Sequence, residues 1–346
     1  MNTLKTFCSA FLVLLCYSTA FAQTHQQDEI VIYTYDSFVA KGGLGPEIFP
    51  LFEQKYGIKI HAIASGDGGQ LISRLQLDFE RKKPVADVVL GIDQHLLEKA
   101  APYLEHQWDR GWIPKNLDKI VDDAKFKATG FVPYDYGIFA FIADTDALAK
   151  HGLSIPTRLS DLEASVWKRN LILEDPRTST PGLAFLLYTQ ELHGDDTVAF
   201  WKKFHSQWLT LTPGWDQAYG LFLKGEAPLV WSYTTSQAYH REHGDTKGRY
   251  RALIFEEGNP IQVEGAAIVR GLSLHDQRNA QLFLEFMLSS EVQKLIPQKN
   301  WMFPVVKDTK LPPSFEELPR PKKVFQIRSS AKQVSDALKM WSRAVQ

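Results

Sequence analysis

Short apolar runs alternate with stretches whose apolar positions recur every three or four residues, and this alternation organises most of the chain. Residues 30–33, 58–63 and 86–91 predict strands, with helices between them over 46–56 and 70–81. Such alternation predicts a doubly wound parallel sheet. Residues 131–144, FVPYDYGIFAFIAD, form a long aromatic run interrupted by Pro133 and Gly137, as expected of a strand crossing from one lobe to another. A second set follows, with strands near 171–174, 209–212 and 229–233, and residues 261–269 predict a crossing back. Val334, Leu338, Trp341 and Val345 fall at helical spacing, predicting an amphipathic C-terminal helix that packs on the fold.

The pattern predicts an α/β protein of two lobes, each a sheet flanked by helices, joined by hinge crossings. The expected boundaries put residues 23–133 with 265–304 in one lobe and 134–264 with 305–346 in the other. Two lobes also suit the length, since roughly 320 residues exceed what one hydrophobic core organises. The first 22 residues predict a secretory leader: Lys5, an apolar stretch over 11–16, then Ala20-Phe21-Ala22 as a small-x-small cleavage site. Both cysteines, Cys8 and Cys16, lie inside it, so the exported chain is expected to carry neither thiol nor disulfide. The apolar stretch is too short for a membrane span, and the expectation is a soluble exported protein, periplasmic in a cell with two membranes. The 39 basic residues less Lys5 leave 38 against 40 acidic ones, a net charge of −2. Basic residues cluster only in short runs such as Lys322-Lys323 and Arg81-Lys82-Lys83, so there is no electrostatic footprint for nucleic acid.

A hinged solute-binding protein and a lid-bearing secreted enzyme share this outline, so the chemistry must decide. There is no G-x-S-x-G nucleophile elbow. His240-Arg241-Glu242-His243 is one residue short of a zinc helix and reads as a solvated polar helix end before Gly244. Residues 174–183, EDPRTSTPGL, are more informative. Thr178, Ser179 and Thr180 precede Pro181 and Gly182, and a buried-looking apolar run follows. Proline is tolerated in a first helical turn, so this loop is expected to end at a helix N-terminus. Free N–H groups there attract an anion, unless the hydroxyls simply cap the helix. Asp67, in Gly66-Asp67-Gly68-Gly69, would repel a pyrophosphate; it suits an amino group or a cation, or else a plain turn.

Aromatic residues recur where strands meet loops: Tyr35, Trp215, Tyr233, Tyr239 and Trp301. Each alone reads as core, but together they occupy the zone that lines an interlobe cleft. Flat π-faces beside a carboxylate suit a flat, cationic heteroaromatic ligand.

At these residues the chain resembles the periplasmic thiamine-binding protein family, receptors of a vitamin-importing ABC transporter. The resemblance runs over nearly the whole exported chain. It rests on YTYDSF (33–38), ADVVLGID (86–93), DYG (135–137), DPRTSTPGL (175–183), AYGLFLKGE (218–226), SYTTS (232–236) with AYH (238–240), and NWMFPV (300–305). It implies a two-lobed type II periplasmic binding protein without catalytic activity or cofactor, expected as a monomer. The implied ligand is thiamine, thiamine monophosphate or thiamine diphosphate, and the implied partner an ABC permease in the inner membrane. Tyr35, Trp215, Tyr233, Tyr239 and Trp301 match the aromatic positions lining the vitamin site, and Asp67 the aspartate near the aminopyrimidine. Ser179 and Gly182 match the phosphate end. One position departs: Gly42 stands where thiamine binders carry a tryptophan. A smaller cage fits a second reading, a receptor for another phosphorylated heteroaromatic such as pyridoxal 5'-phosphate. A ferric-ion receptor shares the fold but needs hard anionic ligands, and this chain has no Tyr-Tyr pair.

Overall fold

The computed structural model describes residues 28–106, 111–125 and 130–346. The leader expected over residues 1–22, with its two cysteines, lies outside them.

Among the described residues, eleven strands form one mixed sheet. In chain order they are β1 (Glu29–Thr34), β2 (Lys59–Ala64), β3 (Val88–Asp93), β4 (Phe131–Asp144), β5 (Leu171–Glu174), β6 (Trp208–Thr212), β7 (Leu229–Tyr233), β8 (Tyr250–Ala252), β9 (Asn259–Ile268), β10 (Phe303–Pro304) and β11 (Val324–Phe325). The main path runs β2-β1-β3-β9-β4-β7-β5-β6. Pairing is parallel within β2-β1-β3 and within β7-β5-β6, as the strand–helix alternation predicts. The two central strands depart from that: β9 runs antiparallel to both β3 and β4, and β4 antiparallel to β7. A chain that crosses between two half-sheets and later returns must lay the returning strand against the outgoing one.

β4 spans the whole aromatic run. Its first part, to Ile138, pairs with β9, and its second, from Phe139, pairs with β7. Pro133 lacks an N–H, yet the strand continues because the register shifts between Pro133 and Asp135, a bulge where a proline is tolerated.

The longer helices among the described residues are α1 (Gly45–Tyr56), α2 (Gly68–Glu80), α3 (Thr180–His193), α4 (Thr197–Phe204), α5 (Trp215–Leu223), α6 (Ser236–Glu242), α7 (Leu274–Met287) and α8 (Ala331–Ala344). Ile32, Phe52, Val88 and Phe283 belong to one core, where α1 and α7 cover β1 and β3. Ala140, Ile172, Tyr219 and Val230 belong to another, under α5. A third contains Leu71, Val89, Phe141, Phe185 and Trp231, so apolar packing continues from one half-sheet to the other. α3 is apolar all round and almost wholly buried, from Thr180 to Thr189. α8 packs as its spacing predicts: Val334, Ala337, Trp341 and Ala344 are buried, and Trp341 meets Trp201 of α4 edge to face. No helix among the described residues is long and apolar enough to cross a membrane.

Candidate functional site

The carboxyl end of β1, the start of α2, the starts of α3 and α5, the end of β7 and the loop before β10 converge on one cavity. It encloses about 710 Å³, part of it open to solvent. Tyr35, Asp67, Trp215, Tyr233 and Trp301 all line it. They reach it from positions far apart in sequence because both half-sheets present their strand ends to the same crevice, where ligands bind in open α/β sheets.

Each aromatic is held from behind. Tyr233 stacks on Phe139 at 4.7 Å, and its hydroxyl donates to Gln262. Trp215 stacks on Tyr219 at 4.9 Å, and its indole N–H donates to Ser232 Oγ at 2.8 Å. Trp301 meets Tyr239 edge to face at 5.1 Å with its backbone at φ +54°, a left-handed conformation rare for a bulky residue. Backbone strain of this kind costs on the order of 1–3 kcal/mol and persists where the surroundings fix it, commonly at ligand clamps.

Asp67 is the N-cap of α2, with Gln70 completing a capping box. Its Oδ1 accepts from Gly68 N–H at 2.6 Å; its Oδ2 accepts from Ser179 Oγ at 2.9 Å and Trp215 N–H at 3.3 Å. Thr180 N–H also donates to this carboxylate. One carboxylate thus bridges the N-termini of three helices. Ser179, the N-cap of α3, spends its hydroxyl on Asp67 instead of capping its own helix. Backbone joins the same loops: Gly69 N–H donates to Thr178 O at 3.0 Å, and a Cβ at Gly69 would stand 2.7 Å from that oxygen. The glycine after Gly68 is there for this approach.

Three of the residues singled out in the sequence stand elsewhere. Ser179 borders the cavity through Asp67. Gly182 lies beneath it: a Cβ there would come within 2.4 Å of Glu174 O, so glycine lets α3 start against the end of β5. Tyr239 lines an adjoining groove with Gly42, stacked on His243 at 4.2 Å. The helix end around His240 is not solvated throughout. His240 is buried, stacks on Tyr250 at 3.6 Å and hydrogen-bonds the Tyr219 hydroxyl at 2.9 Å; burial lowers its pKa to about 4.

Sequence reading missed the acidic floor. Glu264 of β9 lines the cavity and accepts from Tyr35 and Tyr134 hydroxyls, both at 3.1 Å. Asn300 Nδ2 donates to Asp135 Oδ2 at 2.6 Å. Desolvation pushes Glu264 up to about 7 and holds Asp135 well above the carboxylate range, with the neighbouring Glu264 adding to Asp135's shift. Burial also raises Asp67, against the donors that favour its ionised form. Asp36 and Asp216 complete four carboxyls in the lining, which among the described residues includes no lysine, arginine or histidine. The wall is therefore aromatic and electronegative: it favours a flat cation and offers an anion no charged partner.

Comparison with known proteins agrees with this geometry. Residues 34–294 match the family model described as bacterial extracellular solute-binding protein. The chain is 42% identical over 304 residues to a thiamine-binding periplasmic protein of Brucella abortus, covering 87% of this chain and 86% of that one. A protein of the same description from Escherichia coli K12 is 40% identical over 339 residues, covering 96% and 97%. Among solved structures, a periplasmic thiamin binding protein superposes with a TM-score of 0.83 at 39% identity, covering 93% of this chain and 98% of that one.

Proposed function

We propose that this chain, which belongs to the bacterial extracellular solute-binding proteins, is the periplasmic receptor of an ABC importer and closes two lobes around thiamine. It is a transport receptor and not an enzyme. The observation that carries the ligand assignment is the wall of the cleft: aromatic faces from both half-sheets, four carboxyls, and no cationic side chain among the described lining residues. Thiamine is two flat rings, one permanently cationic. Stacking and cation–π contact strengthen as the lobes exclude water.

In this reading the lobes comprise residues 23–133 with 265–304 and 134–264 with 305–346. The sharing of β4 and β9 between the half-sheets supports them as the hinge strands. Tyr35, Asp67, Trp215, Tyr233 and Trp301 contact the vitamin, and Tyr239 extends the cage into the adjoining groove. Ser179 and the start of α3 form the end toward a phosphate ester. Because Asp67 already engages those donors, an ester must displace its carboxylate, and free thiamine is the preferred form. The chain is exported under a leader cleaved after Ala22, works as a monomer and delivers ligand to an inner-membrane permease. Pyridoxal 5'-phosphate and ferric ion are not favoured, since the 40–42% identical relatives carry the thiamine description.

Thermal melting with a panel of thiamine, its two phosphates and pyridoxal phosphate tests this. Ligand at a hundredfold over its Kd stabilises the folded form by about 2.7 kcal/mol. Thiamine is expected to raise Tm most; a rise with pyridoxal phosphate alone would move the assignment to that ligand.

A further inference from the structure

β3, β9 and β4 lie side by side, and their register sets Asp93 opposite Glu264 and Glu264 opposite Asp135. Directly opposed residues of antiparallel strands hold their Cβ atoms about 4.5–5.5 Å apart. Three carboxyl groups thus form a row across the middle of the sheet, and one of them, Glu264, opens into the cleft. Asp93 and Asp135 are fully buried, and Glu264 is 8% exposed.

The partners of this row are few. Glu264 Oε1 accepts from Gln262 Nε2 at 2.7 Å, and its Oε2 from the two tyrosines. Asp93 Oδ1 accepts from His95 and Leu96 N–H groups, both at 3.0 Å. Asp135 Oδ1 and Asp93 Oδ2 have no hydrogen-bond partner. Asp135 and Glu264 are nevertheless within hydrogen-bonding reach of each other. Two carboxylates offer only acceptors, so this contact is attractive only with a proton between them. The groups that face the row are Tyr35 beyond β1, Asp67 at the start of α2, His95 beyond β3, Tyr134 in β4, and Tyr233 at the end of β7. None brings a positive charge: burial holds His95 neutral, with its pKa lowered to about 3.

We propose that the Asp135–Glu264 pair is the exchangeable counter-ion of the cleft: it holds one shared proton while the cleft is empty, and an entering ligand cation displaces that proton to solvent. The pair passes from a net charge of −1 to −2 as a +1 ligand arrives, so the charge enclosed by the cleft is conserved. No covalent bond changes except the O–H, whose proton passes to water or buffer. The proposal rests on the reading of the ligand as the thiamine cation. It explains why a cation receptor keeps its deepest carboxyls without a basic partner, and it makes binding weaken in acid. Where the pair is protonated only in the empty protein, each unit of acidification lowers affinity by up to about tenfold, one proton per ligand.

Calorimetric titration of the full exported chain with thiamine at pH 6.5, in phosphate and in imidazole, counts the protons, because the heat then differs by the buffers' ionisation enthalpies. Release of between about a half and one proton is expected. A neutral, unquaternised thiazole should bind with no release. Asp135→Asn keeps an acceptor for Asn300 and a donor for Glu264 but leaves Glu264 as the one titrating member of the pair; it should release fewer protons than the native protein on binding thiamine and lose affinity less steeply in acid. Thiamine heat that is independent of buffer in the native protein overturns the counter-ion role while leaving the ligand assignment intact. Absence of thiamine binding even at pH 8 removes the ligand assignment and this proposal with it. The buffer comparison needs only the native chain, so it decides the matter even if the variant does not fold.

Discussion

Replacing Asp67 by Asn separates its two structural duties. Asn caps helices as well as Asp does, so α2 keeps its N-cap and the variant should fold. What changes is the bridge to the other half of the cleft. In the native chain one oxygen accepts from Gly68, and the other from Ser179 Oγ at 2.9 Å and Trp215 N–H at 3.3 Å. An amide has only one oxygen. Whichever way it turns, its NH₂ group faces a backbone N–H, of Gly68 or of Trp215, so one of these donors loses its acceptor along with the negative charge. Hydrogen bonds to a charged group contribute about 1.5–3 kcal/mol. If the bridge helps hold the lobes together around ligand, thiamine affinity should fall by about 10- to 150-fold. A phosphate ester should lose less, because the donors at the starts of α3 and α5 become free for its anion. The assay is calorimetry of Asp67→Asn with thiamine and thiamine monophosphate at fixed salt and pH, with the melting temperature as the check on folding. Unchanged thiamine affinity in a folded variant would reduce Asp67 to a helix cap and refute the bridge.

Gly182→Ala should destabilise the fold by about 1–3 kcal/mol in urea melts, since its Cβ would meet backbone at 2.4 Å and not a movable side chain; native stability in the variant would mean the loop gives way freely. Trp301→Ala should weaken thiamine by about 0.5–2 kcal/mol, the range of an aromatic or cation–π contact, and should remove part of the ligand-induced quench of tryptophan fluorescence; an unchanged quench would place Trp301 outside the contact. Ligand-free stability should fall as pH rises through 7–8. Glu264 is raised to about 7 and Asp93 to about 8, above their unfolded values, so the protons they bind favour the folded state at lower pH and that contribution is lost as pH climbs through these values. Melting temperatures measured from pH 6 to 9 without ligand check this, and a rise over that range would contradict it.

Much of the architecture was legible because it is local. β4 fills the whole of residues 131–144, and β5 and β7 begin and end where the apolar runs do. The loop ending at Pro181 opens a helix, since hydroxyl, proline and apolar positions all act within one turn. Of the cavity's lining, Tyr35, Trp215, Tyr233 and Trp301 were legible, because residues where strands meet loops face the crevice whatever the register, whereas Tyr239 falls in the adjoining groove. Its acidic floor was not. Asp93, Asp135 and Glu264 come together only through the pairing of three strands distant in sequence, and no spacing rule links them. The partnership of Asp67 with Ser179 was hidden for the same reason: each could be read as a cap or a ligand, but neither predicts the other. His240 deceived in the opposite direction. A polar run at a helix end reads as solvated, whereas the aromatic packing of Tyr219 and Tyr250 buries its first histidine.

Ligand identity is the central claim. The most direct measurement is calorimetric titration of thiamine into the exported chain after unfolding and refolding to strip any carried ligand, at pH 8. One site per chain is predicted, saturating with micromolar or tighter affinity and binding thiamine more tightly than either phosphate. A flat isotherm from folded protein, or a stronger response to pyridoxal phosphate than to thiamine, would contradict it.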